Sequence, residues 1–302
     1  MKLKLITLLA LSLGSVATNA QAPATAPAKE PAQAEKKAQA EERTDFLRVS
    51  ETEASTLLQT GVTRYEKDGV IVDLLGAVHI ADKAYYDQLN KAFTQYDSLL
   101  FEMVGGEAMQ QEEKKQMEAK KKKDAQMGFL GKMYQIMADR LDLVGQKDGI
   151  DYSKDNFVHA DLTLKEFNDM QKAKGESLLQ LALKNAQNQA KAKAKGPDTM
   201  ALLKALMKND SDALKLAIVH TLGAGDDQVM ALAGKDSVII GDRNVKCLEV
   251  MDAEIAKGKK KLGIFYGAAH FPDMEERMLK QGFKKTKHIW LNAWDIKNKV
   301  KK

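Results

Sequence analysis

The stretch VIVDLLGAVHIADKAYYDQLNKAFTQYDSLLFEM, Val70 to Met103, decides the fold. Val70 to Leu75 is a short apolar run broken only by Asp73, the pattern of a buried strand. Gly76-Ala77-Val78-His79 follows at its exit and Asp82 stands at a helix start. Tyr85, Tyr86, Leu89, Ala92 and Phe93 then recur at helical spacing. A second apolar run, Ser98 to Met103, carries Glu102. Strand, helix and strand in about 35 residues make the βαβ unit of a parallel sheet.

Upstream, Val62, Arg64 and Glu66 alternate with Thr63 and Tyr65, and Asp68-Gly69 supplies turn chemistry, so a β-hairpin leads into the core. Downstream the same order returns in GIFYGAAHFPDMEERMLKQGFKKTKHIWLNAW, Gly263 to Trp294. Gly76, His79 and Asp82 correspond to Gly267, His270 and Asp273, each 191 positions on, while Glu102 corresponds to Ala293. Ser237-Val238-Ile239-Ile240 reads as a further strand, with Gly241-Asp242-Arg243-Asn244 at its exit and a helix to about Lys257. The fold class expected is α/β, a mixed and largely parallel sheet built from two related strand–GxxH–helix–strand units.

Between the units, from about 106 to 234, no comparable strand is expected and the chain reads as a large all-helical insert. Thr163-Leu164-Lys165-Glu166 is a capping-box pattern within it, and Gly175, Gly196-Pro197, Gly223 and Gly225 punctuate it. The run Lys120 to Lys123 lies among Glu112, Glu113 and Glu118 and reads as a solvated helix face. Met103, Met109, Met117, Met127, Met133 and Met137 read as core filler.

At the start, Lys2 and Lys4 precede an apolar run from Leu5 to Val16 that ends in small residues, the order of a secretory leader cleaved after Ala20. Residues 21–43 contain no Leu, Ile, Val or aromatic side chain and read as a disordered Ala/Pro/Lys/Glu linker. The expected organisation is therefore leader 1–20, linker 21–43 and an α/β domain 44–302, exported to the periplasm or the extracellular space. No later run is apolar enough to suggest a transmembrane segment. The 302 residues are 44% hydrophobic and 29% charged with net charge +5, a soluble globular balance. Without Lys2 and Lys4 the basic side chains number 45 against 42 acidic ones, too even a balance to imply nucleic acid as a partner.

The single cysteine, Cys247, excludes an intrachain disulfide and an all-cysteine metal cluster, so a metal would need His, Asp or Glu. Of the five histidines, His79 and His270 leave strands in matching contexts, at the carboxyl ends where ligands bind to open parallel sheets. Gly76 and Gly267 are expected to free the backbone there. If the two units are neighbours, the imidazoles converge with Glu102 as an open two-histidine, one-carboxylate site. Glu102, amid apolar residues, needs a cation, either a metal or Arg243. His159 reads as a locally satisfied loop residue, His220 and His288 as structural, and Cys247 as a small buried residue. Trp290 and Trp294 are expected on one face of the last strand, in the core.

In Gly76-Ala77-Val78-His79, Phe101-Glu102-Met103, Asp242-Arg243-Asn244 and Gly267-Ala268-Ala269-His270-Phe271, taken in that order, the chain resembles the TraB–PrgY–GumN family, which includes the Tiki proteins. It departs from the family's Arg-Asn element in having Val245-Lys246-Cys247 where a further Arg is common. The resemblance implies a fold related to the erythromycin-esterase and ChaN-like group. For the Tiki branch it implies peptide hydrolysis dependent on a divalent metal ion, manganese or cobalt, with zinc as an alternative. In that reading His79 and His270 bind the ion, Glu102 ligates it or acts as general base, and Arg243 with Asn244 stabilises the oxyanion. The partner would be a peptide or small-molecule substrate. Other branches imply a non-enzymatic peptide- or pheromone-binding protein, or a haem-binding protein with His79, His270 or His159 as axial ligand.

Overall fold

The computed structural model describes residues 44–106, 135–176, 204–205, 207–223, 234 and 236–298. The expected leader and linker, Lys120 to Lys123, Met109, Met117, Met127, Met133, Gly196-Pro197, Gly225 and residues 299–302 lie outside them.

Asp68 and Gly69 take φ of 48° and 74°, the left-handed values that a two-residue hairpin turn requires. They join β2 (Ser55–Lys67) to β3 (Val70–Ala77), with Lys67 opposite Val70. β2 is long enough to serve three neighbours. On one side it pairs with β1 (Leu47–Glu51) and then β3; on the other it pairs with β9 (Lys284–Lys297). From β3 the sheet continues through β8 (Lys261–Gly267) and β5 (Ser98–Phe101) to β7 (Phe157–His159), all parallel. A separate bridge pairs β4 (Ile80–Ala81) with β6 (Val144–Gly145).

The two repeated strands, β3 and β8, are direct neighbours, and β5 flanks β8 on its other side. Side chains alternate between two apolar layers. Leu75, Ala77, Leu99, Phe101 and Phe265 meet α1 (Lys83–Phe93), whose Tyr85, Tyr86, Leu89 and Phe93 are buried. Each such side chain stabilises the fold by about 1.5–3 kcal/mol, so this one face is enough to dock the helix. Val72, Leu74, Leu100, Leu262, Ile264 and Tyr266 face the other way. They pack against Cys247, Leu248 and Met251 of one helix and Met274 and Met278 of another.

Three expectations are corrected. Ser237 to Ile240 is not a strand: Val238–Asp242 is a π-helical turn whose start is capped by Ser237 Oγ accepting from Ile240 N at 3.2 Å. A short apolar run has no period that separates a strand from a buried helical turn. The middle of the chain is not helical throughout, because it supplies β6 and β7. Three residues are too few to show alternation, and β7 is held by Phe157 against Phe93 and Phe101 as well as by its ladder to β5. The helices expected there do include the short α2 (Gln146–Gly149) and α3 (Leu164–Lys174), the latter with the capping box between Thr163 and Glu166 and Gly175 left-handed at its end.

Third, Trp290 and Trp294 do not share a face. Leu58 pairs with Trp294 but Gln59 with Asn292, so Ala293 is bulged out of the ladder. One extra residue exchanges the faces. Trp294 enters the core and donates Nε1–H to the Ile80 carbonyl, while Trp290 lies under the Arg48 guanidinium beside His288. Met103 and Met137 pack on the core as filler. None of the described helices is long and apolar enough to cross a membrane.

Candidate functional site

Glu102 is the first residue beyond β5, not a member of it; its N–H still reaches the Phe265 carbonyl of β8 at 3.2 Å. That places the carboxylate at the carboxyl end of the parallel strands, with its side chain 12% exposed. Oε2 accepts the N–H of Gly267 at 2.6 Å, and Oε1 accepts from Arg243 Nη2 at 2.6 Å. The glycines of the two GxxH elements matter for space, not for backbone freedom, since neither Gly76 nor Gly267 has positive φ. A Cβ on Gly267 would stand 3.3 Å from Glu102 Oε2, and one on Gly76 would stand 3.1 Å from the Gly61 carbonyl oxygen.

Arg243 opens α4 (Arg243–Ala256) directly from the π-helical turn, rather than leaving a strand. A cation at the positive end of a helix is unfavourable unless anions offset it. Two do. Besides Glu102, Asp161 takes Nε at 2.9 Å and Nη2 at 2.7 Å in a bidentate pair, with its side chain fully buried. Asp161 was missed in the sequence, although it stands two residues after the strand-like Phe157-Val158-His159, the same kind of position that marks the other site residues. Burial would lower the Arg243 pKa, but the Glu102 and Asp161 charges outweigh it and raise it well above the ordinary value. Burial likewise pushes the Glu102 carboxyl up, and Arg243, with His270 and His79, holds it well below the usual range.

His270 ends a single 3-10 turn (Ala268–His270) that leads into α5 (Phe271–Lys280). Its tautomer follows from its partner. Asn244 Nδ2 donates to the His270 carbonyl at 3.1 Å and to Asp273 Oδ2 at 2.8 Å, so Oδ1 is the atom 2.6 Å from His270 Nδ1. An amide oxygen only accepts, which puts the proton on Nδ1 and leaves Nε2 an acceptor. Burial brings the His270 pKa down to about 4, against the opposing pull of Glu102, so the ring is neutral at physiological pH. Nε2 lies 3.7 Å from Glu102 Oε1 and 3.4 Å from Arg243 Nη1. Asn244 therefore orients His270 and does not reach into the site as an oxyanion donor.

His79 is exposed on the loop after β3, with Nδ1 3.2 Å from Gln146 Oε1, near enough to Glu102 and His270 to influence both electrostatically. The remaining candidates are structural. His159 sits on β7 rather than in a loop and donates Nε2–H to the Met103 carbonyl at 2.7 Å. His288 Nδ1 meets Thr63 Oγ1 at 2.7 Å. The side chain of His220 lies outside the described residues. Cys247 is buried and its pKa is raised well above the ordinary value, chiefly by that burial, so it is no nucleophile.

The donor types suit a divalent ion: a neutral imidazole whose Nε2 is an acceptor, met at 3.4 Å by Arg243 Nη1, an ionised carboxylate and a second imidazole on the exposed loop after β3. Two ligands about 2.1 Å from one tetrahedral ion lie about 3.4 Å apart, close to the separation of His270 Nε2 and Glu102 Oε1. A third donor does not join them: among the described residues no group of three His, Cys, Asp or Glu side chains is placed to hold an ion. In this arrangement Arg243 supplies the cation that Glu102 requires.

The fold and site define an α/β protein whose carboxyl strand ends carry a buried histidine, carboxylate and arginine. The pattern of the TraB/PrgY/gumN family matches residues 61–287, most of the chain, and the protein belongs to that family. No curated protein and no solved structure matches it significantly.

Proposed function

We propose that this protein is an exported, metal-dependent hydrolase of peptides, working at the cluster of Glu102, Arg243 and His270 with His79 at its mouth. The observation that carries the reading is the fixed orientation of His270: Asn244 holds the proton on Nδ1, so Nε2 is an acceptor beside an ionised carboxylate, occupied by a long bond from Arg243 Nη1 at 3.4 Å. His270 and His79 would hold the ion, which when bound lowers the pKa of a water toward about 7. Glu102, ionised near neutrality, either completes that ligand set or acts as general base toward the nucleophile, and Arg243 offers positive charge to an anion developing beside it. The order of residues in the leader supports export.

The test is a titration of the chelated protein with manganese, cobalt and zinc against a peptide mixture, repeated with His79→Ala and His270→Ala. Cleavage that needs a metal and is lost in both variants is expected; wild-type cleavage in both variants would overturn the assignment. Sequencing the N-terminus of the secreted protein checks cleavage after Ala20. A second reading, peptide capture without turnover, draws support from the lack of a three-donor group among the described residues. Its mark is peptide affinity that survives chelation with no product under any metal.

A further inference from the structure

The segment from Val144 to Tyr152 is fastened to the first GxxH loop at several points. β6 pairs with β4 immediately after His79, and Gln146 N donates to the His79 carbonyl at 2.8 Å. Asn90 on α1 donates Nδ2–H to the Gly149 carbonyl at 2.7 Å and accepts the Asp151 N–H at 3.1 Å. Gly149 lies so close to Tyr86 that an added Cβ would come within 2.4 Å of the ring, and Tyr86 in turn donates to the Val78 carbonyl at 2.9 Å. Gln146 is thus held by its backbone, and its side chain is aimed. Nε2 donates to Tyr152 Oη at 2.9 Å, which leaves Oε1 toward His79 Nδ1 at 3.2 Å.

This is the arrangement found at His270, built from different parts of the chain. There the amide oxygen of Asn244 accepts from Nδ1 while Asp273 and a carbonyl hold the amide nitrogen. We infer that Gln146 is a positioning residue that keeps His79 in the Nδ1–H form, the same tautomer that Asn244 imposes on His270, so that the two repeated histidines are a matched pair. An unrestrained imidazole exchanges both tautomer and rotamer. An amide acceptor on one nitrogen settles both and makes the other nitrogen the better ligand or base. The sequence between the two repeats therefore contributes to the site itself. The purpose of the matched pair rests on the hydrolase reading, but its existence does not.

The experiment is imidazole nitrogen NMR on the full, metal-free protein labelled at histidine, near neutral pH, beside Gln146→Leu and Gln146→Glu. In the wild type His79 and His270 carry the proton on Nδ1, whereas His159, bonded through Nε2, is the internal control for an intact fold. Gln146→Leu, which keeps the backbone bond, removes the Nδ1–H state at His79 and leaves His270 unchanged; Gln146→Glu, still an acceptor, restores it. Cobalt titrated alone binds about 10–100-fold more weakly to Gln146→Leu. A wild-type His79 protonated at Nε2, or one whose tautomer is the same in Gln146→Leu, overturns the inference. Expected tautomers without cleavage under any metal would instead sustain it and remove the hydrolase reading.

Discussion

Replacing Arg243 with Met keeps much of the side-chain volume and removes the cation that Glu102 and Asp161 share as a hydrogen-bonding partner. The wild-type guanidinium makes three hydrogen bonds of 2.6 to 2.9 Å to the two carboxylates. Without it Asp161 retains the Leu162 N–H and Glu102 the Gly267 N–H, and two anions face each other out of water. Removing one partner of a buried pair costs about 3–5 kcal/mol, and here one cation serves two anions, so the upper half of that range is expected. With a urea slope of about 3 kcal/mol per molar, a loss of about 4 kcal/mol lowers the unfolding midpoint by about 1.3 M. Neutralising Glu102 as well, in Arg243→Met/Glu102→Gln, recovers part of the loss, and the cycle of Arg243→Met with Asp161→Asn shows a coupling above about 1.5 kcal/mol. A loss below about 1 kcal/mol for Arg243→Met, or simple additivity in the cycle, would refute the account of Arg243 as the bound cation of the site.

Asp161→Asn removes one of the two anions around Arg243, and cobalt affinity of the chelated protein is expected to fall several-fold with the fold intact; unchanged affinity would show that Asp161 does not set the charge of the site. Gly149→Ala forces Tyr86 to move, with a cost of about 1–3 kcal/mol in thermal or urea unfolding and faster amide exchange around Val78 and His79. Burial, with the Lys285 and Arg48 charges, holds the His288 pKa below its ordinary 6.5. The unfolded chain therefore takes up that proton first, so this share of stability is present above about pH 6.5 and is lost as pH falls toward the folded value. His288→Gln should show a shallower decline of stability across that window; an equal slope would count against it.

The parts of the fold that were legible are those where local pattern and tertiary role coincide. The Asp68-Gly69 turn, the apolar runs of β3, β5 and β8 and the stripe of α1 are each legible locally; the duplicated GxxH elements left the adjacency of β3 and β8 as a condition, which the sheet order meets. Illegible features depend on what a residue meets. Val238-Ile239-Ile240 is as apolar as a strand, yet it winds into the π-helical turn that delivers Arg243. The Ala293 bulge, which parts Trp290 from Trp294, exists only in the register between β9 and β2. Glu102 and Arg243 stood out as charges in apolar surroundings. Asp161 did not, because three residues, Phe157 to His159, are too few to read as a strand, and a lone acid after them attracts no notice until a buried guanidinium is found against it.

Charge explains why that acid matters. Glu102 and Asp161 are two anions around one guanidinium, and His270 does not redress the balance near neutrality because its pKa lies at about 4. The buried cluster therefore keeps one negative charge in excess, softened by the Gly267 N–H but not cancelled. On the proposed reading, that excess is what would favour a cation, whether a metal ion or the ammonium of a peptide N-terminus, over an anionic ligand. Were Asp161 absent, Arg243 and Glu102 would neutralise each other and the preference would disappear. The residues between the two repeats thus supply both the excess charge, through Asp161, and the orienting amide, through Gln146, so the duplicated half-sites need the segment between them to act as one site.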